Sequence, residues 1–308
     1  MQYTCRICGE ESTEKYIARE VKQGTSEEFV YFKCPNCGCL QIAKIPDNIA
    51  KYYENYYSIT KRGANESALK SLLRKLFFRA IIQKRFFYRF FANINNGFEW
   101  MNHARIDFTS KIIDVGCGSG RLLIKMANSG FCHLQGIDPY IETPLTYKCQ
   151  SCSFSIIKGD IESLSEQYDF VMLHHVLEHI DNQDEVFRTL KRLLAPNGQI
   201  LINIPIVDSA IWDIYKTDCF QLEDAPRHLY LHTLKSIQLL ADAHHLRIEH
   251  IHFVASPMIF TASEKQRKRK YGESSSFSLF QYLKFRHKAK YLAKNGQSGL
   301  ACFYLTHK

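Results

Sequence analysis

The sequence predicts an α/β protein: a doubly wound, largely parallel sheet of the nucleotide-binding kind, with a small metal-stapled module ahead of it. Three observations predict this. Lys111–Val115 is a short apolar run with the look of a buried parallel strand, and it ends in Gly116-Cys117-Gly118-Ser119-Gly120. A helical pattern follows at once (Leu122, Leu123, Met126, Ala127), closed by Asn128-Ser129-Gly130, and strand patterns then alternate with helices to the end of the chain. Finally, two C-x-x-C-G pairs, Cys5/Cys8 and Cys34/Cys37, fall near the start.

Composition bounds the reading. The chain has 308 residues, of which 45% are hydrophobic, with 21 Phe and 17 Tyr. That suffices for one α/β domain of ~200 residues and a small second module. Met1-Gln2-Tyr3-Thr4-Cys5 lacks the apolar core of a secretory signal. No apolar run approaches the ~20 residues that span a bilayer. Of the 11 cysteines, five lie in the first 39 residues, which reads as metal binding in a reducing cytoplasm rather than as a disulfide framework. The net charge of +9 permits a nucleic acid, a phosphorylated substrate or an anionic membrane as partner, without choosing among them. Oligomeric state is left open.

Taken in order, Cys5-Arg6-Ile7-Cys8-Gly9 and Cys34-Pro35-Asn36-Cys37-Gly38 each supply two thiolates from a tight turn, and together they make a zinc-ribbon pattern. Phe29–Phe32 leads into the second turn as a strand, and Cys39 is the odd member, a spare thiol or else an alternative ligand. A ribbon of this size needs its metal to fold, so the expected zinc is structural, on Cys5, Cys8, Cys34 and Cys37. Residues 46–60 are rich in Tyr, with Tyr53, Tyr56 and Tyr57 as candidates for plain aromatic packing or, by resemblance to enzymes with similar ribbons, for a lid. Residues 66–92 form a helical pattern with Leu69, Leu72, Leu73, Leu76, Ala80, Phe87 and Phe91 on one face, widened by Phe78, Ile82, Phe86 and Phe90, and basic residues interleaved. An apolar face usually means burial against the domain; peripheral contact with an anionic membrane is the alternative. A break is expected near Asn93–Gly97.

The glycine turn excludes a dinucleotide fingerprint, because the third glycine of G-x-G-x-x-G would fall at Arg121. The spacing Asp114-x-Gly116-x-Gly118-x-Gly120 resembles instead the first motif of class I S-adenosylmethionine (SAM)-dependent methyltransferases. His133–Asp138 reads as a second strand followed by Pro139, with Asp138 at the interval where a carboxylate meets ribose hydroxyls. Phe154–Lys158 is a third strand, after which the resemblance implies that Asp160 accepts from the adenine amine and Ile161 touches the ring. Cys149-Gln150-Ser151-Cys152 has no second pair nearby and reads as chance.

Tyr168–His174 is the fourth strand, whose end is expected to put His174 beside the cofactor and His175 on the substrate side. On a continuing helix, His175, Glu178 and His179 would share one face. Three roles stay open for them: general base for a hydroxyl, ligands of a catalytic divalent metal, or a local structural network. Some ubiquinone-pathway O-methyltransferases have a similar acid-x-x-Glu-His sequence that binds metal, but here the first position is His175. A helix, the Pro196-Asn197-Gly198 turn and a fifth strand through Pro205 follow, then an irregular insertion at 206–226 where substrate loops are usually placed. Arg227-His228-Leu229-Tyr230 resembles an element of methyltransferases from bacterial polysaccharide and secondary-metabolite pathways. It makes His228 a second base candidate and Arg227 an anion contact or a loop anchor. Thr233 caps the next helix, Leu246–Val254 is a sixth strand, 264–270 is a basic run, and Gly299–His307 is a seventh strand.

The resemblance implies a seven-stranded Rossmann-like sheet in the order 3-2-1-4-5-7-6 with its last strand antiparallel. Expected domains are a zinc ribbon at 1–45, a helical linker and lid at 46–98, and a SAM-dependent methyltransferase domain at 99–308. Expected against the cofactor are Asp114, Gly116, Cys117, Gly118, Gly120, Asp138, Pro139, Asp160, Ile161 and His174, with His175, Glu178, His179 and His228 as catalytic candidates. The expected reaction is O-methylation of a sugar, glycan intermediate or small metabolite. Two alternatives stand beside it: an rRNA or tRNA methyltransferase gripping RNA through ribbon and basic surface, and a SAM-binding adaptor without turnover. RNA is the less favoured, because the Asn/Asp-Pro-Pro-Tyr type of motif is absent after the fourth strand.

Overall fold

In a computed structural model, the described residues are 2–53, 67–83, 98–149, 152–270, 273 and 276–308. Tyr56, Tyr57, the distal end of the 66–92 pattern and the break at 93–97 lie outside them. Strands β1 (Tyr3–Thr4) and β2 (Glu11–Ser12) form a hairpin around the first cysteine turn. β3 (Lys15–Arg19), β4 (Glu28–Lys33) and β5 (Leu40–Ile42) form an antiparallel sheet with the second turn between β4 and β5. Both turns close alike, Gly9 N donating to Cys5 O and Gly38 N to Cys34 O at 2.9 Å.

Helix α1 (Ala68–Ile82) starts at Ser67, whose side chain accepts from Lys70 N. Its expected packed face is corrected in part: Leu69, Leu72, Leu73 and Leu76 are exposed, whereas Phe78, expected at the margin of that face, is buried together with Ser71 and Ile81. The leucines share one side, but Phe77, Phe78, Ile81 and Ile82 carry the apolar surface around much of this helix, and aromatic partners decide which side packs. Phe78 meets Phe98 and Phe131 edge-on, at 4.9 and 5.9 Å.

The main sheet then builds from β6 (Ile112–Val115), α2 (Arg121–Ala127), β7 (Leu134–Asp138), β8 (Leu145–Lys148), β9 (Ser153–Lys158), β10 (Tyr168–His174), α3 (Gln183–Leu193) and β11 (Leu194–Pro205). It continues through α4 (Ala210–Tyr215), β12 (Tyr230–Leu231), α5 (Leu234–Ala243), β13 (Leu246–Phe253), α6 (Met258–Lys270), α7 (Leu279–Lys294) and β14 (Leu300–His307). The spatial order is β13-β14-β11-β10-β6-β7-β9-β8, with β14 antiparallel to both neighbours. The seven expected strands stand in the expected order; the sheet has eight because β8 adds antiparallel to β9. β8 is four residues long and buries only Tyr147, too short an alternation to be read as a strand. Tyr147 is held by stacking on Phe154 and by donating to Ser119 O.

Two further expectations change. The Pro196-Asn197-Gly198 turn lies within β11, where it interrupts the pairing with β10. After β10 the chain makes a 3-10 turn at Leu177–His179, and the α-helix waits for the Asn182 cap. His175, with φ of 56°, therefore sits in a left-handed kink rather than on a helix face.

The two sheets are joined. β12 pairs with β5 as the fourth strand of the N-terminal sheet (Tyr230 opposite Gln41, Leu231 opposite Leu40). One apolar cluster unites Tyr31, Phe32 and Leu40 of that sheet with Trp212, Leu222, Phe260 and Leu292. Among the described residues no helix is long and apolar enough to cross a membrane.

Gly116 has φ of +65°, and a Cβ there would lie 2.5 Å from Val176 Cγ2. Gly116→Ala is expected to cost about 1–3 kcal/mol, read as a lower urea midpoint. An unchanged midpoint would contradict this account of the turn.

Candidate active site

The carboxyl ends of β6, β7, β9 and β10 border a cleft of about 870 Å³, open to solvent. Its wall includes Gly116, Asp138, Pro139, Asp160, Ile161, His175 and His179. Asp138 organises the turn: Oδ2 accepts from Gly118 N and Oδ1 from Tyr140 N, both at 2.8 Å. Burial raises its carboxyl, against the pull of those two N–H groups. Asp114, buried on β6, is raised well above the carboxylate range by burial and then by the charge of Asp138. Two buried acids side by side gain from a cationic ligand.

The turn contributes mainly backbone. Gly116 alone of the turn reaches the cleft wall; Gly118 acts through its N–H, and Gly120 (φ +71°) opens α2. The Cys117 thiol lies under the turn, where Cys117 Sγ would be 2.5 Å from a Cβ at Gly136; burial raises its pKa. His174, expected at the cofactor, is not in the cleft wall. Its ring meets Trp100 edge-on, and Nδ1 lies 3.1 Å from Asn203 Nδ2. The alternation of β10 sends it to the opposite face from the cleft. Burial lowers its pKa to about 3.

Tyr53 and Tyr140 cover the mouth with stacked rings, 4.8 Å apart. Tyr140 had no sequence motif behind it, yet its position just past a strand end is the signal that could have found it. Tyr53 also approaches His179, its hydroxyl 3.5 Å from Nδ1.

At the mouth and beneath it the fold gathers four catalytic candidates. Glu178 is fully buried, and neither carboxylate oxygen has a hydrogen-bond partner among the described residues. Oε1 lies 3.4 Å from His175 Nδ1 and 4.0 Å from His228 Nε2. Burial pushes its pKa up, but His175, His179 and His228 outweigh burial and hold it below the usual range. His179 Nδ1 is 3.0 Å from Arg227 O, and His228 Nδ1 is 2.5 Å from Gln221 O. A carbonyl only accepts, so each Nδ1 carries the proton and each Nε2 presents a lone pair. Burial, then His228, lowers His179 to about 4. One ligand atom from each of Glu178, His179 and His228 lies within 4.8 Å of the others, a set that could hold a metal ion. His228 thus takes the third place expected of His175, which stays half-exposed at the mouth.

Arg227 is buried; it donates to Tyr52 O at 3.1 Å and pairs with Asp224. That makes it the anchor of the Tyr52–Tyr53 segment rather than a contact waiting for an anion.

The N-terminal sheet reaches this site. Tyr31 OH donates to His228 O at 2.8 Å, Leu229 N to Glu178 O at 2.8 Å, and Thr233 Oγ1 to Cys37 O at 2.5 Å. The sulfurs of Cys5, Cys8, Cys34 and Cys37 lie within 4.8 Å of one another, Cys5–Cys37 at 3.6 Å and Cys8–Cys34 at 3.5 Å. Tetrahedral zinc–thiolate bonds place sulfurs roughly 3.8 Å apart, so this set could hold zinc. Cys39 is buried beside it and outside the set.

A family model described as "Methyltransferase domain" matches residues 73–255, more than half of the chain. Among curated relatives, a ubiquinone biosynthesis O-methyltransferase of Rickettsia akari is 32% identical over 98 residues, covering 30% of this chain and 39% of that protein. One of the same description from Erwinia tasmaniensis is 25% identical over 123 residues, covering 37% and 50%. The chain thus spans half or less of the length of these two relatives. The solved geranyl diphosphate C-methyltransferase of Streptomyces coelicolor A3(2) overlaps 75% of this chain and 87% of its own, with 10% identity and a TM-score of 0.46.

Tyr31→Phe removes the donor to His228 O inside a closed core. The expected cost is about 1–3 kcal/mol of stability, with a measurable shift of the His228 ring signals in NMR spectra. Unmoved signals would show that the N-terminal sheet does not set this imidazole.

Proposed function

The chain belongs to the methyltransferase-domain family, and from that premise we propose that it methylates a hydroxyl of a sugar, a glycan intermediate or another small metabolite, using SAM. The observation that carries this reading is one cleft with Asp138 and Asp160 along one wall and His175 and His179 at its mouth. The His228 ring lies 4.8 Å from that of His179. The names of the curated relatives, O-methyltransferases, support an oxygen acceptor.

The donor set suits the cofactor: buried carboxyls, a glycine-lined approach and apolar walls from Ile137, Pro139, Ile161 and Val176. When bound, SAM supplies an electrophilic methyl group on a sulfonium. In this reading Asp138 holds the ribose hydroxyls, Asp160 accepts from the adenine amine, and Ile161 packs on the ring. Asp114 beside Asp138 favours a cation near the turn. His179 or His228 takes the acceptor's proton on Nε2, and Glu178 steadies the resulting imidazolium. The Tyr53–Tyr140 stack limits water at the mouth, and positioning does most of the catalytic work.

The orphaned Glu178 carboxylate favours a second reading of the same cluster. With Glu178, His179 and His228 as ligands, a divalent ion would acidify the acceptor hydroxyl, and the Nδ1–carbonyl bonds would orient both imidazoles toward it. For the N-terminal module we infer a structural zinc on the four thiolates.

Asp138→Ala is expected to weaken SAM binding by about tenfold or more in calorimetry; an unchanged affinity removes the cofactor pose. His179→Ala and His228→Ala should each slow turnover by about 10²–10⁴ while SAM still binds, and two unimpaired rates dismiss both as bases. Chelation that abolishes turnover without unfolding the protein selects the divalent-metal reading, whereas full activity after chelation excludes it. Elemental analysis should find zinc that Cys34→Ser loses; wild-type protein free of zinc would sink the ribbon assignment.

A further inference from the structure

Helix α7, Leu279 to Lys294, shares with α1 a basic, acid-free sequence and exposed apolar side chains, and it is the longer of the two. It contains Lys284, Arg286, Lys288, Lys290 and Lys294 and not one acidic residue. Only Ala289 and Leu292 are buried, with Phe285 stacked on Phe260 at 5.5 Å. The outer side exposes Leu279 (75%), Phe280 (69%), Leu283 (49%) and Tyr291 (62%). These are large apolar groups left in water on an ordered element. The Ser278–Gln281 capping box fixes the helix start, so the apolar end is held in register.

Apolar and basic groups are arranged along one ridge. Leu279, Leu283, Arg286, Lys290 and Lys294 follow one another at helical spacings of three and four residues and so lie along one side. The first two are apolar. The last three line a cavity shared with His250 and His252 of β13. An element that offers leucine and phenylalanine at one end and cations along the rest matches a surface with an apolar interior beneath a layer of negative charge.

We propose that α7 seats the protein on an anionic phospholipid surface, with Leu279, Phe280 and Leu283 entering the interfacial region and Arg286, Lys290 and Lys294 on lipid phosphates. A second copy of the chain fits poorly, because it would bring an acid-free helix against its like. A nucleic acid could use the cations and stack on Phe280 and Tyr291, but it would leave Leu279 and Leu283, the apolar start of the ridge, uncovered. The inference is independent of the methyl acceptor.

The test is co-sedimentation of the full chain with vesicles of phosphatidylcholine carrying a minority of phosphatidylglycerol, beside vesicles of phosphatidylcholine alone. Expected is binding to the mixed vesicles, weakened by salt, and little binding to the neutral ones. The triple variant Leu279→Ser, Phe280→Ser, Leu283→Ser should weaken binding by about tenfold or more. Arg286→Glu with Lys290→Glu should do likewise, through loss of surface attraction. All of these side chains are distant from the candidate catalytic cluster in sequence and contacts, so SAM affinity should not change. Salt and lipid dependence of the wild-type protein stand as the measurement should a variant unfold. Wild-type protein that ignores phosphatidylglycerol overturns the proposal, as does a triple variant that binds as wild type does. Binding to a single-stranded oligoribonucleotide that displaces vesicles, lost on charge reversal but kept in the triple variant, would reassign the ridge to nucleic acid. Self-association lost in the triple variant would reassign it to a second copy.

Discussion

A two-residue strand holds this molecule together. β12 hydrogen-bonds to β5 of the N-terminal sheet, and it lies between His228 on one side and the Thr233 cap of α5 on the other. Tyr31 and Cys37 each anchor a backbone carbonyl or side chain of that short passage. The position of His228 relative to Glu178 and His179 is therefore set by a sheet built from the first 42 residues. Pairing a few backbone groups is a modest interaction in isolation. Here it is enclosed by the shared apolar cluster of Trp212, Leu222 and Phe260, which makes it hard to break without opening that core.

The same arrangement explains why Glu178 tolerates complete burial. Three imidazoles surround it, and two are pinned through Nδ1 to carbonyls of the 221–227 loop. A buried carboxylate without hydrogen bonds is costly unless positive charge compensates it. Protonated imidazole or a cation satisfies that demand, and both belong to the chemistry proposed for the cleft.

Much of this could be read from the residues. The order of seven strands follows from the resemblance that the glycine turn and the succession of strands carry, not from alternation alone. Gly116, Asp138, Pro139, Asp160, Ile161, His175 and His179 line the cleft because strand ends in such sheets face it. The remainder depends on contacts between distant segments of the chain, which local pattern does not encode. His228 reaches Glu178 through β12, a strand too short for any periodicity. Arg227 read equally as an anion contact or a loop anchor, and its burial against Tyr52 and Asp224 favours the anchor. His174 sits one residue from the cleft and on its wrong side, because a strand alternates its faces with every step. The leucines of α1 were misplaced because a helix apolar around much of its circumference does not announce which side will be covered.

The stacked pair Tyr53 and Tyr140 carries a consequence for traffic through the cleft. One ring comes from the segment leaving the N-terminal sheet, the other from the end of β7, and Arg227 tethers the first by the carbonyl of Tyr52. Anything entering or leaving must either separate the stacked aromatic faces or pass beside them. Since Tyr53 also leans on His179, separating the rings alters the surroundings of that imidazole at the same moment. A displacement of Tyr53 that parts the rings thus also removes a neighbour of His179, so the doorway and that imidazole share one contact.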